Sequence, residues 1–135
     1  MYVLDTCICI ELLRGNLPNT LKRLAQCPPS LFAIPRIVEA ELLTGAEKSQ
    51  NPSKMRLLTE RFLQPFPKLS FDSNCARCYA QVRSTLEKAG KKIGPNDLII
   101  AATAKANNAT VVTRNVREFI RVPGLQVEDW EETEI

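Results

Sequence analysis

The stretch from Gly94 to Ala109 constrains the fold of this chain more than any other. It opens Gly94-Pro95-Asn96-Asp97, a helix start in which Pro is favoured in the first turn and an acid there complements the helix dipole. Leu98, Ile99, Ile100, Ala101, Ala102, Ala104 and Ala106 then leave almost no polar stripe, so the helix must lie inside the fold. Asp97 is therefore a carboxylate at the edge of a core. Charges in such places persist when a cation side chain, backbone N–H groups or a metal ion pairs with them.

Around this helix the chain alternates short apolar runs with helical patterns. Tyr2-Val3-Leu4 reads as a buried strand ended by Asp5, with Thr6 as cap of the helix that Gly15 stops. Pro18 opens a second helix closed by Pro28-Pro29, and Leu31 to Ile34 is a second strand. In the helix that Pro35 starts, Ile34, Ile37, Val38, Leu42 and Gly45 draw one apolar face, and Glu41 lies on it between Val38 and Leu42. A Glu on a buried stripe is costly unless neutralised or coordinated, with Arg14 or Arg36 as possible partners.

Met55, Leu58, Phe62 and Leu63 form a further amphipathic helix. Leu69 to Phe71 is a strand candidate, and Asp72-Ser73 caps a long helix reaching Gly90. Thr110-Val111-Val112 is another strand, Val116 to Ile120 a helical turn, and Leu125 to Val127 a last strand. The alternation predicts one α/β domain over residues 1–135 with a central, mainly parallel sheet flanked by helices. No run approaches the roughly 20 apolar residues of a membrane helix, and no secretory signal opens the chain, so a cytoplasmic protein is expected.

Composition narrows the chemistry. The chain has no histidine, which removes Ser-His-Asp and Cys-His catalysis and every His-ligated metal site. Five acids in the last eight residues leave ten for the first 127, against 18 basic groups, a balance of +8 that suits a polyanionic partner. In open α/β sheets, ligands bind beyond the carboxyl ends of the strands, where Asp5 and Asn115 are placed. With Glu41 and Asp97 they form an all-oxygen constellation suited to Mg²⁺ or Mn²⁺, and its natural chemistry is metal-assisted phosphodiester hydrolysis. Arg77, Arg83, Arg114, Arg117 and Arg121 are candidate phosphate contacts or ordinary surface residues. Thr6 and Thr113 carry hydroxyls able to orient carboxylates.

On these residues the chain resembles the PIN-domain ribonucleases, specifically the VapC-like toxins of bacterial toxin–antitoxin pairs. The likeness rests on Val3-Leu4-Asp5-Thr6, Glu41-Leu42 with Gly45 to Ser49, Ile93 to Asp97, Ala109 to Thr113, Asn115 with Arg117-Glu118-Phe119, and Val122 to Leu125. The resemblance implies a PIN-like three-layer fold, metal binding by Asp5, Glu41 and Asp97, and a Mg²⁺- or Mn²⁺-dependent endoribonuclease. It further implies 5′-phosphate and 3′-hydroxyl products, a homodimer, RNA as substrate and inhibition by a cognate antitoxin. Asn115 stands where the family often has Asp, so either its amide or Glu118 completes the site. Cys7 stands where the family usually has Asn. A thiolate is a poor Mg²⁺ ligand, so Cys7 is expected to replace a supporting hydrogen-bonding side chain.

Two other readings come from different classes. Cys75 and Cys78 make a Cys-x-x-Cys pair at a helix start, as in thiol redox proteins, and with Cys7 and Cys9 they would make a four-thiolate zinc site. A PIN-like module that only binds RNA or a partner is the third.

Overall fold

The computed structural model describes residues 1–132. Five parallel strands, β1 (Tyr2–Leu4), β2 (Phe32–Pro35), β3 (Lys68–Leu69), β4 (Thr110–Val112) and β5 (Val127–Glu128), form one sheet in the order β3-β2-β1-β4-β5. Around it lie helices α1 (Thr6–Leu13), α2 (Pro18–Gln26), α3 (Arg36–Glu47), α4 (Pro52–Leu63), α5 (Ser73–Lys88), α6 (Pro95–Ala106) and α7 (Val116–Phe119).

The strands are short, apolar and buried, as parallel strands covered on both faces must be. Tyr2 pairs with Phe32 on one side and Thr110 on the other, and Leu4 with Val112. From β1 the chain builds outward through β2 to β3, then crosses back to place β4 on the other flank of β1. That reversal makes the carboxyl ends of β1 and β4 the topological switch point, where this class of sheet leaves a crevice.

The apolar helix is found at α6, with Gly94 as its N-cap and Pro95 in its first turn. Leu98 and Ile100 to Ala104 are buried, and the helix packs against α5, α3 and β4. Its alanines leave room for close neighbours on every side, which larger side chains would not.

Several local expectations are corrected. Asp5, not Thr6, caps α1, its Oδ1 accepting from the Ile8 N–H at 2.9 Å, and Thr6 opens the first turn instead. Leu58 is exposed, and α4 buries Thr59 and Leu63. Phe71 is exposed beyond β3, and the last strand starts at Val127 instead of Leu125.

The acidic end, read in the sequence only as a charge imbalance, is a set of clasps. Leu17, the residue before α2, lies in the left-handed region (φ 62°) and gives the helix no side-chain cap. Glu131 supplies one, accepting from the Thr20 N–H at 2.6 Å and the Thr20 hydroxyl at 2.7 Å. Trp130 packs edge-on against Tyr2 and Phe32, with ring centroids at 4.9 and 5.8 Å, and Arg23 lies over it at 4.7 Å. Glu134 lies outside the described residues.

Candidate metal centre

The site is built where the switch point predicts. Asp5 leaves the end of β1 and is 2% exposed, with both oxygens engaged. Its Oδ1 caps α1, and its Oδ2 accepts from the hydroxyl of Thr113, the residue just after β4. The same Thr113 oxygen accepts from the Asn115 N–H at 2.8 Å, so one hydroxyl ties β1, β4 and the start of α7 together. Burial pushes the Asp5 carboxyl up from its ordinary pKa. The bonds from Thr113 and Ile8 oppose that, and the charges of Glu41 and Glu118 add to it.

Glu41 reaches the site from α3. It is half-buried, and its Oε1 accepts from the Thr6 hydroxyl at 2.7 Å. The two arginines that could have neutralised it are committed elsewhere, Arg14 to Glu11 and Arg36 to Glu39.

Asp97 arrives from the first turn of α6 and is half-buried. Its pKa is pushed up to about 7, first by burial, then by the charge of Glu118 and a hydrogen bond with it, and last by Asp5 and Glu41. The four carboxylates thus feel one another. Among the described residues none of them has a salt bridge, although six arginines elsewhere are paired with acids.

Asn115 is exposed, and its amide donates to Glu118. Glu118 also accepts from the Gly94 N–H at 2.6 Å, and a Cβ at Gly94 would stand 3.6 Å from Glu118 Oε1 and 3.8 Å from Asp97 Oδ2. Of the two residues left open for the fourth position, Glu118 is the one whose charge acts on Asp5 and Asp97. Asn115 holds it in place. This could be suspected from sequence only because Glu118 and Asn115 fall three apart, the spacing of neighbours on one helical turn.

Cys7 is exposed on the first turn of α1. Burial of its sulfur and the charges of Asp5, Asp97, Glu41 and Glu11 raise its pKa, so it stands beside the acids as a neutral thiol. Cys9, two residues on, is fully buried, and Cys75 is buried against the Ser70 carbonyl. Cys7 and Cys9 therefore differ in exposure as neighbours across a helix do.

An uncompensated all-oxygen acid cluster suits a hard divalent cation. Among the described residues no three His, Cys, Asp or Glu side chains are grouped closely enough to hold a metal ion between them; Glu41 is turned to Thr6, and Glu118 to Gly94 and Asn115. Such a donor set fits an ion that makes few direct carboxylate bonds and keeps several waters, the habit of Mg²⁺.

A parallel sheet with acids gathered at its switch point defines a class, and the chain belongs to the PIN-domain family, whose model, described as the PIN domain, matches residues 2–125. Within that family it is similar to VapC ribonucleases. It is 38% identical to Ribonuclease VapC2 of Rickettsia felis over 134 residues, covering 97% of this chain and 98% of that protein. It is 36% identical over 129 residues to the tRNA(fMet)-specific endonuclease VapC of Salmonella typhimurium, covering 96% of this chain and 97% of that protein. The crystal structure of VapBC2 from Rickettsia felis bound to a DNA fragment from their promoter superposes with a TM-score of 0.89 at 35% identity, over 96% of this chain and 98% of that one.

Proposed function

We propose that this protein is a divalent-metal-dependent endoribonuclease toxin that hydrolyses RNA phosphodiester bonds and is neutralised by a cognate antitoxin. The observation that supports the reading is that the charges of Glu118, Asp5 and Glu41 all act on Asp97 near the carboxyl ends of β1 and β4, while among the described residues none of these four carboxylates forms a salt bridge. Asp5, Glu41 and Asp97 would hold Mg²⁺ or Mn²⁺. When bound, such an ion supplies Lewis-acid polarisation of the phosphate and acidifies water.

The protein's own groups prepare that site. The Thr113 hydroxyl and the Ile8 N–H fix both oxygens of Asp5, and Thr6 fixes Glu41, so little reorganisation is left for the reaction. Asn115 and Gly94 set Glu118 beside Asp97. Asp97, with its pKa about 7, exchanges its proton near neutrality, which couples ion binding to pH.

Likeness to the tRNA(fMet)-specific endonuclease makes tRNA the first substrate to test. A homodimer, a cytoplasmic location and an antitoxin partner complete the reading; among the described residues no helix is long and apolar enough to cross a membrane. Purified protein should cleave RNA with Mn²⁺ or Mg²⁺, lose cleavage in EDTA and regain it with Mn²⁺. Asp97→Asn should abolish cleavage while circular dichroism stays native. Cleavage untouched by EDTA and blocked by thiol alkylation would point instead to the cysteines.

A further inference from the structure

Beside the acid site lies a cleft of about 430 Å³ lined by Gly90, Lys91, Lys92, Arg117, Ile120 and Arg121. Four of these six residues are cationic and none is acidic. Elsewhere Arg14, Arg23, Arg36, Arg56, Arg83 and Arg114 are each matched to a carboxylate. In the cleft, by contrast, none of the four cations forms a salt bridge among the described residues. The charge of Lys92 acts on Glu87, which is itself held by Arg83, and Glu118 next to Arg117 is turned to Gly94 and Asn115.

The cleft is built, not merely lined. Gly90 takes the left-handed backbone (φ 68°) that ends α5 and turns Lys91 and Lys92 toward α7. Arg121 then donates to the Lys92 carbonyl at 2.7 Å, fastening this loop to the end of α7. The loop runs on to Gly94, whose N–H is bonded to Glu118, so the basic wall and the acid cluster share the same two segments. Ile120, 60% exposed, adds an apolar patch among the charges.

Holding four like charges side by side costs stability, and neutralising them with phosphates releases the counterions that otherwise screen the RNA. We infer that Lys91, Lys92, Arg117 and Arg121 form a backbone-phosphate subsite that seats the RNA strand leading away from the scissile bond. This rests on the ribonuclease reading for its substrate. The cleft positions RNA and carries no base readout, so its contribution is independent of sequence and dependent on salt.

The test is fluorescence anisotropy of a labelled tRNA with the whole protein in EDTA, across a range of NaCl concentrations. Lys91→Ala/Arg117→Ala removes two charges whose side chains make no hydrogen bond among the described residues, and Lys54→Ala/Arg61→Ala on α4 is the control of equal charge. The cleft variant should weaken binding roughly tenfold and lower the slope of log Kd against log salt by about 1.4, while the control changes both less. Binding and slope equal to those of the control would overturn the subsite. So would RNA binding at the wild-type level with lost binding of a poly-glutamate peptide, which would assign the cleft to an acidic protein segment. Failure of the ribonuclease reading is told apart by the wild-type protein: no cleavage with Mn²⁺, yet RNA binding that the cleft variant weakens, removes the nuclease and keeps the subsite.

Discussion

Asp97 carries the sharpest residue-scale consequence. With a native pKa of about 7 and an ordinary value of 3.8, its carboxyl holds a proton in the folded chain over a range where the unfolded chain has lost it. The stabilisation is fully present below about pH 4 and is lost as pH rises through about 7. The thermal midpoint of metal-free protein should therefore fall between pH 5 and pH 8, and Asp97→Asn should flatten that slope in a fluorimetric melt. Protons and a divalent ion compete for the same oxygens, so added Mg²⁺ should raise the midpoint more at pH 8 than at pH 6. Asp5 makes a less clean variant. Its two oxygens hold α1 and Thr113, and Asp5→Ala should cost about 1–2 kcal/mol of unfolding free energy through the lost cap alone, read from a urea titration.

At the scale of elements, what could be read from sequence followed how local each cause is. Strand β4 coincides with the apolar run Thr110 to Val112, and Pro95 and Asp72 mark their helix starts, because short apolar runs and caps act within a few residues. Asp5, Glu41 and Asp97 could be singled out for the same reason, each being an acid where a strand end, an apolar stripe or a helix start leaves it hard to solvate. The cap of α1 was harder: Asp5 and Thr6 are both good cap residues, and the engagement of Thr6 with Glu41, 35 residues on, is invisible locally. Glu118 depends on the approach of Gly94, and the cap of α2 comes from Glu131, 111 residues away from Thr20. Glu131→Ala should cost about 1 kcal/mol, seen as a lower urea midpoint with an unchanged slope. Within α6, Ala101 is fully buried, and Ala101→Leu should cost about 1–3 kcal/mol by overpacking in the same titration.

Across the whole molecule, the first and last strands are joined through the middle. Trp130 closes over the starts of β1 and β2, and Trp130→Ala should cost about 3–5 kcal/mol in equilibrium denaturation. The C-terminal segment thus reaches both ends of the strands: Trp130 packs on Tyr2 and Phe32 where β1 and β2 begin, while the Glu128 carbonyl accepts from the Thr113 N–H and Asp129 pairs with Arg114 just past β4.

Because β1 lies between β2 and β4, a nascent chain can pair its first strand on one edge once residues 32–35 have emerged, yet the other edge waits for residues 110–112 to leave the ribosome. Asp5 likewise waits for Thr113. A ribosome stalled before residue 113 thus holds a fragment in which Asp5 lacks its Thr113 partner and the acid cluster is not assembled.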